Sequence, residues 1–150
     1  MKSSRTAIQT GRTPNAPGPG VVFLSLAVDA ALVIIFAAIG RGSHARAATI
    51  TGLGETAWPF LAGLAVMWLV TLAWRHPLRV VRTGIPLWVG TVALGMLLRA
   101  LSGQGTALPF VIVATLTLAL LLVGWRVLAV LTRKVRSMQK ARQLEPNQAP

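Results

Sequence analysis

Four long apolar runs, at about residues 20–39, 57–74, 85–101 and 108–131, constrain this chain's fold more than anything else in it. A helix rises about 1.5 Å per residue, so a hydrocarbon layer of about 30 Å takes about 20 residues, with roughly 17–25 in use. All four runs fit that window. Lipid offers the backbone no hydrogen bonds, and a helix satisfies its own. The pattern predicts an all-α, polytopic membrane protein built as a bundle of four transmembrane helices. Pro59, Pro86 and Pro109 are placed in opening turns, where a missing N–H costs least.

Composition agrees with this reading. Charged residues are 12% of the chain, against about a quarter in soluble domains. The acids are Asp29, Glu55 and Glu145, and the net charge is +12. Such basicity raises nucleic acid as a partner, but a soluble nucleic-acid binder has no use for four apolar runs. The bilayer is the expected partner and nucleic acid is not. The absence of cysteine excludes disulfides, thiolate metal sites, a cysteine nucleophile and palmitoylation.

Residues 1–19 are polar, with Pro and Gly at the end, and read as a disordered basic arm. Residues 20–131 form the transmembrane domain, and 132–150 a basic tail, partly helical and then disordered. Lys and Arg in the flanks set the orientation. The arm, the second loop (Arg75, Arg79, Arg82) and the tail together hold eleven, against Arg41 and Arg46 on the other side. Both termini are therefore expected in the cytoplasm, with anionic cytoplasmic-leaflet lipids along the tail. Trp74 and Trp88 then lie at the inner interface and Trp58 at the outer. A secretory signal ending near Ala45-Arg46-Ala47 is disfavoured, because the run is too long and carries Asp29.

Asp29 is the costly residue. It lies about ten residues into its helix, where an aspartate costs about 2.5–3.5 kcal/mol to insert. Twelve Val, Leu, Ile and Phe residues share that run, each favourable by about 0.3–0.6 kcal/mol, so insertion survives. The carboxylate should turn inward to a partner or water, or stay protonated. Ser25, one turn earlier, is its nearest candidate hydrogen-bond neighbour. Arg126 is the candidate ionic partner: it lies some 7–8 Å from the cytoplasmic end, and Asp29 about 14 Å. The simpler and favoured reading is that Arg126 snorkels to the headgroups, with pairing to Asp29 as the runner-up.

The outer face gathers Arg41, His44, Glu55 and Arg99. They suggest a polar cap or a small anion site, beside the simpler reading of ordinary interfacial charge. Glu55 is placed just before the second helix. The histidines and carboxylates are too dispersed for a metal site, no cofactor motif is present, and Ser43 beside His44 lacks an oriented base. Small residues at Ala27 and Ala31, Thr91 and Gly95, and at Gly63 and Gly90, allow close helix contacts, more within the bundle than between copies.

Asp29, Phe36, Gly40, Arg41 and His44, then Trp58, Pro59, Phe60 and Gly63, then Gly95 and Arg99, and finally Gly124, Trp125 and Arg126 form an ordered set. In order and spacing, over roughly residues 21–133, this set is similar to a bacterial, mainly actinobacterial, membrane family, the domain of unknown function 3054. The resemblance implies a small polytopic protein of the bacterial plasma membrane and carries no assigned activity.

The residues thus favour a structural or accessory membrane component, with a homo-oligomer or another membrane protein as partner. The runner-up is a small transporter or proton-coupled channel working through Asp29 and Arg126. An intramembrane enzyme is the least favoured, for want of a nucleophile or metal ligands.

Overall fold

The computed structural model describes residues 17–42 and 49–144. The arm before residue 17, His44, Arg46 and the chain end from residue 145 lie outside the described residues. Every regular element among those described is helical. Four helices are long and apolar enough to cross a membrane, the architecture of a multi-pass membrane protein.

Helix α1 spans Pro19–Gly42. Helix α2 spans Ile50–Val70, so it begins earlier than the apolar run suggests. The Thr49 hydroxyl accepts from the Gly52 N–H at 3.3 Å and caps it. Hydropathy misses this start because Gly54, Glu55 and Thr56 dilute the first turns. Two placements change as a result. Glu55 lies within α2, and Pro59 lies in its interior, where it removes one backbone bond.

Helix α2 stops where Leu72 takes φ +50°, the left-handed position usually given to glycine. A 3-10 turn, Ala73–Arg75, follows. Helix α3 opens with a π turn, Val80–Gly84, and continues as α-helix through Ile85–Leu101. The Ile85 N–H reaches back five residues to the Val80 carbonyl, and the next residue, Pro86, has no N–H to give.

Helix α4 comprises Leu108–Leu118, a second π turn at Ala119–Val123, and Gly124–Leu144. Beyond Leu131 it continues with all described side chains exposed. Gly103 and Gly105 supply the two positive-φ glycines in the turn before it.

The tightest seam joins α2 and α3. A Cβ on Gly63 would stand 3.1 Å from the Thr91 carbonyl, and one on Gly95 would strike the Phe60 ring. Phe60 meets Phe36 edge to face at 5.2 Å, and Phe110 completes the cluster at 6.3 Å from both. Val33, Leu64, Leu87, Leu118 and Leu122 extend this core along the bundle. Ala27 and Ala31 are exposed, so that small pair is not part of the buried core. Outside, Phe23, Leu24, Leu116 and Leu120 are exposed; an apolar exterior of this kind is matched by hydrocarbon.

Candidate functional site

Asp29 and Arg126 are both wholly buried, at 0% exposure. They meet as a bidentate pair, Arg126 Nη1 donating to Oδ1 at 2.8 Å and Nη2 to Oδ2 at 2.6 Å. Trp125 Nε1 also donates to Oδ1 at 2.9 Å, and Trp68 Nε1 to Oδ2 at 3.0 Å. Each oxygen accepts two bonds, so the carboxylate's acceptor sites are filled. Arg126 is satisfied in turn: Nε donates to the Pro77 carbonyl at 3.0 Å and Nη1 also to the Leu122 carbonyl at 2.7 Å. Its guanidinium lies 4.7 Å from the Trp125 ring centre, an additional cation–π contact.

The backbone around Arg126 makes this geometry possible. Arg126 follows the second π turn by three residues and its side chain meets both π turns, at Gly84 and at Leu122; a π turn rephases a helix face and recurs at functional sites. Gly84, closing the first π turn, leaves room for the arginine stem, since a Cβ there would stand 3.0 Å from Cδ. Leu122, in the second, offers its carbonyl inward. Burying two charges costs several kcal/mol per ion, and only such complete pairing offsets it.

The other sequence candidates lie elsewhere. Ser25 does not bond to Asp29; its hydroxyl donates to the Val21 carbonyl at 2.8 Å, because a serine in a helix reaches its own preceding turn more easily than a neighbour one turn on. Arg99 does not meet Glu55. It clamps the α3–α4 turn, donating to Gln104 Oε1 at 3.0 Å and to the Gln104 and Gly105 carbonyls at 3.3 and 3.4 Å. Its guanidinium lies 4.3 Å from the Phe110 ring centre. Glu55 is exposed. The Arg41 guanidinium packs over Gly52, where a Cβ would collide with it. The described part of the outer cluster is therefore two separate arginine contacts beside an exposed glutamate. Among the described residues, Asp29–Arg126 is the only salt bridge and no three His, Cys, Asp or Glu side chains gather to hold a metal.

Sequence reasoning missed Trp68 altogether, and named Trp125 without its role as a donor to Asp29. A signal existed: a tryptophan N–H inside a bilayer needs an acceptor, and Asp29 is the one mid-span carboxylate. Trp88 is half-buried and donates to the Thr115 carbonyl at 2.9 Å, which joins α3 to α4.

A family model described as Protein of unknown function (DUF3054) matches residues 26–129, a stretch that holds all four side chains of the buried centre. The chain belongs to the DUF3054 family. No curated protein and no solved structure matches it. In this DUF3054 chain the match ends at residue 129, before the exposed basic part of α4.

Proposed function

We propose that the protein is a structural or accessory component of a bacterial plasma membrane, with both termini cytoplasmic, and that Asp29–Arg126 is its internal pin. The pin ties α1 to α4 directly, to α2 through Trp68, and to the α2–α3 turn through Pro77. The observation that carries this reading is the filled carboxylate. A relay must take up and release a proton, and both Asp29 oxygens are occupied by donors in a site at 0% exposure. Such a group supports position rather than passage, which places the transporter reading second.

The orientation rests on the eleven-to-two distribution of Lys and Arg. It gains support from a cleft lined by Pro17 before α1, Arg75 and Arg79 from the α2–α3 turn, and Arg133 of α4, which puts these segments at one end. The anionic inner-leaflet lipids along the tail and a protein partner, either a second copy or another membrane component, belong to the same proposal.

Proteoliposomes loaded with a pH dye test it. Neither wild type nor Asp29→Asn should raise proton flux above that of empty vesicles. Flux carried by the wild type and abolished in the variant would overturn the reading. Crosslinking in cells at native expression should also recover one reproducible membrane partner, and reporter fusions should place both termini inside.

A further inference from the structure

We infer that the turn joining α2 to α3 is a cradle for the phosphodiester headgroup of an anionic membrane lipid, held by Arg75, His76, Arg79 and Arg133. The turn and the start of α3 concentrate Arg75, His76, Arg79 and Arg82 within eight residues, and all four side chains are exposed. Arg133 of α4 joins Arg75, His76 and Arg79 around one cleft of about 260 Å³. Arg75, His76 and Arg82 also line an adjoining cleft of about 340 Å³.

No carboxylate among the described residues can neutralise this group. Asp29 is taken by Arg126. Glu55 lies on α2 fifteen residues before its end at Val70, about 22 Å away along the axis. None of the guanidinium groups of Arg75, Arg79, Arg82 and Arg133 has a hydrogen bond or ion pair among the described residues. The counter-charge must come from another molecule, and arginines favour phosphate oxygens through paired N–H donors.

A lipid fits better than a free anion because the basic walls continue into apolar ones. A third cleft, of about 390 Å³, runs from Arg79 and Arg82 to Leu78, Val81 and Val130. Val81 is 73% exposed and Val130 44%, which leaves a path for an acyl chain below the headgroup.

The turn is also held in place before any ligand arrives. The Pro77 carbonyl is bound by Arg126 at 3.0 Å, and the His76 carbonyl accepts from the Thr83 hydroxyl at 2.7 Å. A preorganised cradle loses less on binding than the extended basic helix beyond it. The inference rests on the proposed function only in bringing this end of the bundle to a leaflet. In detergent, orientation plays no part, so a failure below leaves that reading standing.

The test is native mass spectrometry of the full chain in a neutral detergent, titrated with phosphatidylglycerol. The triple variant Arg75→Gln, Arg79→Gln, Arg133→Gln is compared with a control of equal charge loss, Lys134→Gln, Arg136→Gln, Lys140→Gln. Wild type should bind one lipid saturably. The cradle variant should weaken binding by at least about tenfold, from three lost headgroup contacts, and the tail variant far less. Phosphatidylcholine should bind much more weakly, and inorganic phosphate should not displace the lipid. Equal losses in the two variants, equal binding of phosphatidylcholine, or displacement by phosphate would each overturn the cradle. If the triple variant does not fold, Arg79→Gln against Lys140→Gln carries the same comparison.

Discussion

Replacing Asp29 by asparagine keeps the shape of the side chain and removes its charge. Four donors converge on the carboxylate, two at each oxygen. The asparagine amide keeps one accepting oxygen and turns an NH2 toward the other two donors, while Arg126 remains charged and wholly buried. Removing one partner of a buried pair costs about 3–5 kcal/mol, because the other is left uncompensated. Arg126→Gln should cost about as much, since it strands the carboxylate with only its two tryptophan donors. Independent losses would then sum to about 6–10 kcal/mol. Both variants remove the same contact, so the double variant should fall short of that sum by about 2–3 kcal/mol, near the top of the range for directly bonded groups. Ordinary hydrogen bonds between membrane helices couple by only about 0.6 kcal/mol on average, so the pair is distinguishable from them. The assay is reversible unfolding in mixed micelles of a mild and a denaturing detergent, followed by far-ultraviolet circular dichroism. Additivity within about 0.5 kcal/mol would refute the claim that these side chains stabilise the bundle as a pair.

Three further outcomes follow from the same structure and the same unfolding assay. Trp68→Phe and Trp125→Phe should each cost about 1.5–3 kcal/mol, the worth of a hydrogen bond to a charged group, and the loss should shrink in an Asp29→Asn background; an undiminished loss would assign it to ring packing alone. Gly95→Ala places a methyl against the Phe60 ring and should cost about 1–3 kcal/mol through overpacking; a neutral result would mean that the aromatic cluster can shift. Thr91 is wholly buried and its hydroxyl has no hydrogen-bond partner, so Thr91→Val should be neutral or stabilising by up to about 1–3 kcal/mol; a clear destabilisation would show that the hydroxyl is bonded after all.

The membrane architecture was legible along the chain because hydropathy is local. Each run announces its solvent without reference to the others, and four such runs leave helices as the economical solution. Asp29 and Arg126 were legible for the same reason: a charge inside an apolar run is conspicuous wherever it falls. Helix ends were less so. The Thr49 cap and the left-handed Leu72 override hydropathy at the two ends of α2, since a single capping or reversing residue decides where backbone bonding stops.

The pairing itself could not be read from composition or spacing. Asp29 and Arg126 are 97 residues apart in sequence, and their contact depends on two π turns and on the rotation and depth of α1 and α4 together. The same holds for Arg99, which takes the carbonyls of the turn five and six residues ahead of it rather than Glu55. Proximity along the chain supplied those acceptors, and packing carried the acid elsewhere. The amino-acid order therefore determined the medium, the number of crossings and the groups that need a partner. Tertiary structure alone decided which partner each received, because a hydrogen bond demands alignment within a few tenths of an ångström that no single helix can specify.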